Sequence, residues 1–445
     1  MSKLFGTDGI RGRAGSPPLD ALTVNRVGAA LGQVLKAERT TPQPRVLIGG
    51  DTRESFDWIE HELARGLATQ GVDATSAGVI PTPGIAFLTH SEGFDAGIVV
   101  SASHNPYHDN GIKIFSRRGE KLDERAEKRI EAIVHESSAP GAGDAAIERR
   151  DLRHRYVDHL LKILPRLEWL SGSRIVVDCA NGATTTIAPD LFPRIGFDAV
   201  FIGDRPDGRN INLECGSTDL ALLRKKVVES SARMGVAFDG DGDRALFVDR
   251  RGKMVDGDAV MWMAGIQLQR ENRLPGNVIV ATVMSNIGLE LALKERRIEL
   301  LRAPVGDKFV MEMMGARGAA LGGEQSGHII FAHHLSTGDG IGTALQVLRI
   351  METRRSELDT LASELVLYPQ VLVNVPVRER ADYEAVPAIA ESIERVKERF
   401  DGRGRLLIRY SGTEPLLRIM LEGRNEGEIR QWANEIAEAV KRSLG

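Results

Sequence analysis

Cysteine is nearly absent: Cys179 and Cys215 are the only two in 445 residues. Two unclustered thiols make no disulfide scaffold and fit a reducing compartment. No Gly-x-y period is present and prolines number only 18, which excludes collagen-like and disordered low-complexity readings. The run from Met1 to Gly9 turns polar at once and has no apolar h-region. No apolar stretch is long enough to span a bilayer. Charge of one sign is also lacking. The 58 Lys and Arg against 62 Asp and Glu leave −4, which argues against general affinity for nucleic acid or anionic membrane. The expectation is a soluble, cytoplasmic, multidomain protein. Glycine, by contrast, is abundant. Its 47 residues exceed the usual share of about 7% and belong in tight turns or in loops where backbone approaches a ligand.

At roughly 150 residues per domain, the length suggests about three domains. Three segments share a buried strand, a small-residue turn and a helix. They are Val46–Asp51 with a helix from Ser55 to Gln70, Ile175–Asp178 with Asn181-Gly182-Ala183 opening a helix, and Val278–Ala281 with Ser285-Asn286 as cap. Such units build mainly parallel sheets, and their recurrence suggests a repeated α/β domain. The tail differs. A strand at Val371–Val377, a helix carrying Val386, Ile389, Ile393, Val396 and Phe400, strands at Arg405–Tyr410 and Leu416–Leu421, and a helix carrying Ile429, Trp432, Ile436 and Val440 predict a compact sheet with helices on one face. The tail thus makes a fourth, smaller domain. The Ser/Ala/Pro/Gly-rich stretch Ser137–Ala146 reads as a linker.

The sharpest local signal is Asp239-Gly240-Asp241-Gly242-Asp243-Arg244. Three carboxylates separated only by glycine repel one another unless a cation sits among them, and a hard divalent ion such as Mg²⁺ takes oxygen ligands. An EF-hand would need Gly and Glu where Arg244 and Arg250 stand. A solvated turn is the alternative, but the apolar flanks Val236–Phe238 and Ala245–Val248 bring the loop out of a buried strand. Asp256 and Asp258 lack a third carboxylate and read as a turn or helix start. Ser101-Ala102-Ser103-His104-Asn105-Pro106 follows the strand-like Ala96–Val100, at the strand end where open α/β sheets place ligands. It does not spell a hydrolase Gly-x-Ser-x-Gly. Ser103 beside His104, with Lys113 downstream, is compatible with phosphoryl transfer or with an ordinary turn.

The loop Gly322–His328 offers Glu324, Ser326 and His328, which suit sugar hydroxyls as well as a plain polar turn. Arg409-Tyr410-Ser411-Gly412-Thr413-Glu414-Pro415 with Arg418 offers hydroxyls, N–H groups and two guanidinium forks for a phosphate. A capping box Ser411-x-x-Glu414 is the competing reading, weakened because the residues after Pro415 look like a strand. The pairs His104/His108 and His333/His334 lie in loops of different segments without clustered cysteines and do not make a zinc site.

In this order the four loops resemble the α-D-phosphohexomutase family across essentially the whole chain. Phe5–Gly12, Ser285–Glu290 and Glu324–His328 look most like its amino-sugar branch. The resemblance implies three similar mixed-sheet α/β domains plus a smaller C-terminal α+β domain around a central cleft, with bounds 1–153, 154–253, 254–367 and 368–445. It implies that Ser103 is phosphorylated and joins Asp239, Asp241 and Asp243 on one Mg²⁺ per chain. His104 and Lys113 would handle protons and charge, and Arg11 and Arg244 would stabilise the transferring group. Glu324, Ser326 and His328 would hold the sugar; Arg409, Ser411, Gly412, Thr413 and Arg418 would hold its distal phosphate. Glucosamine 1,6-bisphosphate would be intermediate and primer. The implied partner is a phosphosugar, not nucleic acid or membrane, and a homodimer is compatible. In that branch the product feeds UDP-N-acetylglucosamine and cell-wall precursors. The alternatives are a mutase of mannose or glucose phosphates, a metal-dependent sugar phosphatase, or a non-catalytic phosphosugar-binding protein.

Overall fold

The computed structural model describes residues 3–6, 8–38, 43–136, 146–164, 166–400, 404–411 and 415–445. Most of the expected linker Ser137–Ala146, and Gly412 to Glu414, lie outside the described residues. Two compact units are present: 1–284 with 299–364, and 285–298 with 365–445.

The first unit holds three mixed sheets. The first sheet has β1 (Ile10–Arg13), β2 (Arg45–Gly50), β3 (Asp73–Val79), β4 (Ala96–Val100), β5 (Asp109–Ser116) and β6 (Glu148–Arg149), in the order β1-β5-β4-β2-β3-β6. Its helices are α1 (Ala21–Glu38), α2 (Phe56–Thr69), α3 (Thr82–Ser91) and α4 (Glu124–Glu136); α5 (Arg153–Leu160) follows. The second sheet has β7 (Arg174–Asp178), β8 (Asp198–Ile202), β9 (Met234–Phe238), β10 (Ala245–Asp249) and β11 (Met254–Val255), ordered β11-β10-β9-β7-β8, with α6 (Ala188–Ile195) and α7 (Ala221–Glu229). After α8 (Gly257–Arg270), the third has β12 (Val278–Thr282), β13 (Glu299–Ala303), β14 (Leu321–Gly323) and β15 (Ile329–Phe331), ordered β13-β12-β14-β15.

One wiring recurs in all three. A central strand (β2, β7 or β12) is flanked by two parallel neighbours, and the later neighbour turns back through an antiparallel hairpin. The central strands are Val/Ile-rich because both faces are covered. Val46, Ile48, Val176, Val177, Ile279 and Val280 are all fully buried. The hairpin loops are therefore equivalent positions, and they carry the serine loop (β4–β5), the aspartate loop (β9–β10) and the Glu324 loop (β14–β15).

The expected elements recur with small shifts. The helix expected to open at Asn181–Ala183 begins instead as a 3₁₀ turn, Ala183–Thr186, before α6. Asp256 is the N-cap of α8, accepting from the Ala259 N–H at 3.1 Å, as the helix-start reading requires. The first unit also holds α10 (Asp307–Arg317), α11 (Gly340–Arg354) and α12 (Leu358–Ala362), whereas α9 (Ile287–Glu295) belongs to the second unit.

The second unit has an antiparallel sheet of β16 (Gln370–Pro376), β17 (Arg405–Tyr410) and β18 (Leu416–Glu422), ordered β16-β18-β17, with α13 (Pro387–Phe400) and α14 (Glu426–Leu444). The two helical faces read from the sequence meet the sheet: Ile389, Ile393, Val396, Ile429, Ile436 and Val440 share one core with Val371, Val375, Leu417, Ile419 and Leu421. Helix α9 joins this unit through Asn286, which caps it and exchanges two hydrogen bonds with the Tyr368 backbone, at 2.8 and 2.9 Å. Among the described residues no helix is long and apolar enough to cross a membrane.

Candidate active site

Ser103 sits in the β4–β5 loop, almost fully buried, with φ at +54°, a left-handed conformation unfavourable for a residue with a Cβ. Its Oγ donates to Asp239 Oδ2 at 2.5 Å and lies 3.2 Å from His104 Nδ1. The hydroxyl is thus aimed from the first sheet at the aspartate loop of the second. Gly240 makes this approach possible, because a Cβ there would stand 2.5 Å from the Ser103 carbonyl oxygen.

Asp239, Asp241 and Asp243 are buried and place one carboxylate oxygen each within 4.8 Å of one another. Asp241 Oδ1 and Asp243 Oδ1 are buried with no hydrogen-bond partner among the described residues. Buried carboxylate oxygens are rarely left without donors, so the converging set has the oxygen chemistry and free lone pairs of a hard-cation site. Burial, then the charges of Asp243 and Asp241, pushes the Asp239 carboxyl well above its ordinary range. At Asp243 burial acts in the same sense, but Lys113, His328 and Arg244 outweigh it and hold the carboxyl well below that range.

Lys113 comes from β5 and its ammonium lies 2.9 Å from Asp241, 3.1 Å from Asp8 and 3.4 Å from Asp243. Burial opposes its charge, yet these three carboxylates prevail and raise its pKa well above the ordinary value. It is a fixed cation with no lone pair to offer. His104 behaves oppositely: burial, helped by Arg244 and Arg11, lowers it to about 4, so the imidazole is neutral.

A cavity of about 530 Å³ opens beside this cluster, lined by Arg11, His104, Asp243, Arg244, Glu324 and His328 among others. Arg11 pairs with Asp8 and reaches the Ala102 carbonyl at 3.4 Å. The Arg244 backbone N–H donates to Asp239 Oδ1 at 3.0 Å, and its side chain stands about 4 Å from Asp239 and Asp243. Glu324 accepts from the Gly306 N–H at 3.2 Å. His328 is more buried than a sugar-contacting side chain need be. Its Nε2 accepts from the Gly338 N–H at 3.2 Å, which leaves the ring proton on Nδ1 facing Asp243 Oδ1 at 3.6 Å. Ser326 is half-buried in the same turn, outside the cavity lining, and Gln325 is engaged by Asp256 at 3.3 Å.

Two functional-site carboxylates escaped the sequence reading. Asp8 and Asp307 both line the cavity, and Lys121 bridges them. Asp8 precedes Arg11 of strand β1 by three residues, a spacing that marks neighbours on a helix and marks nothing on a turn and strand, so their pairing shows only in the fold.

In the second unit Arg409 and Arg418 are register partners on β17 and β18. Register partners lie on one face of a sheet, so the two arginines stand side by side. Arg418 Nη2 donates to Ser411 Oγ at 3.2 Å. Gly412 and Thr413, expected in the same phosphate loop, lie outside the described residues.

Three repeated α/β layers whose equivalent hairpins deliver a serine, a carboxylate triad and a glycine-bracketed loop define a multidomain α/β enzyme with an acidic, serine-bearing centre. Family models for phosphoglucomutase/phosphomannomutase domains I, II, III and the C-terminal domain match residues 2–140, 154–252, 256–368 and 372–439. The chain belongs to the phosphoglucomutase/phosphomannomutase family and is an isomerase. A phosphoglucosamine mutase of Solibacter usitatus is 48% identical over 445 residues, covering 99% of both chains. One of Geobacter sp. (strain M21) is 46% identical, covering 100% of this chain and 99% of its own. Among solved structures, a phosphoglucomutase/phosphomannomutase family protein of Burkholderia thailandensis aligns with TM-score 0.81 at 26% identity, over 100% of this chain and 99% of its own. The Aspergillus fumigatus N-acetylphosphoglucosamine mutase, solved with GlcNAc-6P and magnesium, shares the fold at TM-score 0.63 and 18% identity, over 92% and 85%.

Proposed function

We propose that this enzyme interconverts glucosamine 6-phosphate and glucosamine 1-phosphate, with Ser103 carrying the phosphoryl group between turnovers. The observation that carries the reading is the Ser103 hydroxyl held 2.5 Å from Asp239 at the mouth of three mutually facing carboxylates. That phosphoglucosamine mutases 44–48% identical match over nearly the full length supports the choice of sugar.

Asp239, Asp241 and Asp243 would hold Mg²⁺ together with an oxygen of phospho-Ser103. The ion supplies charge neutralisation for the phosphoryl group. The chain's own groups do the rest. In the first half-reaction the P–Oγ bond of phospho-Ser103 breaks and a bond forms to the free sugar hydroxyl, giving glucosamine 1,6-bisphosphate. The hydroxyl proton leaves to a base, and neutral His104 on the cavity wall suits that task. Lys113 and Arg244, fixed cations, balance the oxygens' charge; Arg11 extends the positive wall. Glu324, Ser326 and His328 suit sugar hydroxyls or the turn that presents them. Arg409, Ser411 and Arg418, with Gly412 and Thr413, suit the distal phosphate. The bisphosphate then turns round, its other phosphoryl group returns to Oγ, and the product leaves. Bounds of 1–153, 154–253, 254–367 and 368–445 fit this division of labour, one loop per domain.

Gln325 is engaged by Asp256 and offers nothing specific to an amino group, which keeps a glucose or mannose phosphate mutase as the second reading. Intact-mass measurement decides the mechanism: a phosphate adduct is expected on the purified enzyme and absent from Ser103→Ala, with mutase activity lost. A Ser103→Ala enzyme at full activity would sink it. Comparing kcat/KM for the 6-phosphates of glucosamine, glucose and mannose decides the sugar, and a preference for mannose refutes the present choice.

A further inference from the structure

Arg53 is among the largest fully buried side chains of the protein, and the loop around it is the one that carries Ser103. It follows β2 by three residues. Its Nε donates to Asp51 Oδ2 at 2.9 Å. Nη1 donates to the carbonyls of Pro106 and, at 3.0 Å, Asp109; Nη2 donates to those of Ser103 at 3.1 Å and Asn105 at 2.8 Å. All five guanidinium N–H groups are committed, four of them to carbonyls of a single loop.

The same ion pair reaches the other side of Ser103. The Ser103 N–H donates to Ser101 Oγ at 2.9 Å, and the Ser101 hydroxyl donates in turn to Asp51 Oδ2 at 2.5 Å. Both backbone polar groups of Ser103 are thus tied to one Asp51–Arg53 pair, the C=O directly and the N–H through one hydroxyl. Asn212, from the second sheet's layer, adds a donor to the Ser103 carbonyl at 2.9 Å and to that of Asn105 at 3.1 Å.

A buried ion pair is not by itself a source of stability, because desolvating both charges offsets their attraction. Its use here is geometric. Ser103 needs its left-handed backbone to point Oγ at Asp239, and a residue with a Cβ keeps that conformation only where its surroundings over-determine it. We infer that Asp51 and Arg53, with Ser101, are positioning residues for the reacting serine, holding its backbone so that Oγ faces the carboxylate triad. This rests on Ser103 being the phosphorylated residue. Lysine cannot substitute for Arg53, because one ammonium cannot span four carbonyls.

The test compares full-length parent, Arg53→Lys, Arg53→Ala and Ser101→Ala. It reads steady-state turnover of glucosamine 6-phosphate and the single-turnover rate at which glucosamine 1,6-bisphosphate phosphorylates Ser103, followed by intact mass. The expected result is a kcat reduced about 100-fold in both Arg53 variants and about tenfold in Ser101→Ala, with KM within about threefold, since misplacement of a reacting atom costs rate rather than binding. Serine phosphorylation slows in proportion, and guanidinium added to Arg53→Ala restores part of kcat. If Arg53→Ala does not fold by circular dichroism, Ser101→Ala, which removes only a hydroxyl, decides. Retention of parental kcat in Ser101→Ala and Arg53→Lys, or a rise in KM at unchanged kcat, overturns the inference. A parent enzyme that takes up no phosphate on Ser103 overturns the phosphoserine reading, and this inference with it; a parent that does, matched by its variants, defeats only the positioning role.

Discussion

Lys113 bears on the candidate site through charge rather than by lining its cavity. Its ammonium is enclosed by Asp8, Asp241 and Asp243 and balances a group of carboxylates that would otherwise repel one another. Replacing it by methionine keeps the volume and removes the charge. Breaking a buried pair from one side leaves the partners uncompensated, a loss of about 3–5 kcal/mol. Lys113→Met is therefore expected to unfold at markedly lower denaturant concentration than the parent, with mutase activity falling at least about 100-fold. Saturating Mg²⁺ should narrow the stability gap, because a bound cation replaces part of the missing charge. Denaturant titrations with and without the ion read this directly; an unchanged midpoint without Mg²⁺ would contradict it. Cys179 and Cys215, by contrast, take no part: both are buried, and burial pushes both thiols up, that of Cys215 to about 12.

At the scale of elements, the informative feature is that three hairpins in equivalent places of three similar sheets carry the three motifs. Their loops meet because the layers pack closely, and close packing shows in what a side chain would strike. At Gly240 an added Cβ would meet the Ser103 carbonyl at 2.5 Å and Asn212 and Ile211 at 2.8 Å, so no direction offers relief. Gly240→Ala is expected to push the β9–β10 and β4–β5 loops apart. A shift of about 1 Å suffices to lower kcat by roughly 100-fold. The sheets themselves do not depend on this contact, so the circular dichroism spectrum should be that of the parent. Turnover within about threefold of parental would show that the two loops do not need this approach.

Across the larger unit, Phe87 of α3, His159 of α5 and His334 after β15 stack in sequence, with ring centroids 4.1 and 4.5 Å apart. His334 Nε2 lies 3.0 Å from Asp339, the N-cap of α11, which also accepts from Tyr156 at 2.9 Å. Burial, then the neighbouring His334, lowers the His159 imidazole to about 4; Lys162 acts in the same sense and Asp339 against it. A histidine whose folded pKa lies below its unfolded value favours the fold above about pH 6.5 and loses that contribution as pH falls towards 4. His159→Phe preserves the stack without the titration. Its unfolding midpoint should match the parent's near pH 7.5 and exceed it near pH 5. Equal losses in the two proteins on acidification would refute the assignment.

The repeated strand–turn–helix units, the β-α-β-β-α tail and the Asp239–Asp243 cage were legible in the sequence because each rests on local chemistry: apolar period, turn residues, charge spacing. The helical faces of α13 and α14 and the cap at Asn286 were legible for the same reason. Other features needed partners far along the chain. Arg53 reads as one polar residue near a helix start until the fold wraps the Ser103–Asp109 carbonyls around it, and Asp8, Lys121 and Asp307 become one network only when segments up to 186 residues apart meet. Helix α9 follows β12 in sequence, yet Asn286 binds it to Tyr368 in the tail's unit. The sequence by itself determined the candidate serine, aspartate, glutamate and arginine loops and the short elements that present them. Only the tertiary structure decided which backbone groups are held, by whom, and at what angle, because hydrogen bonds and buried charges between distant segments have no period for a sequence to display.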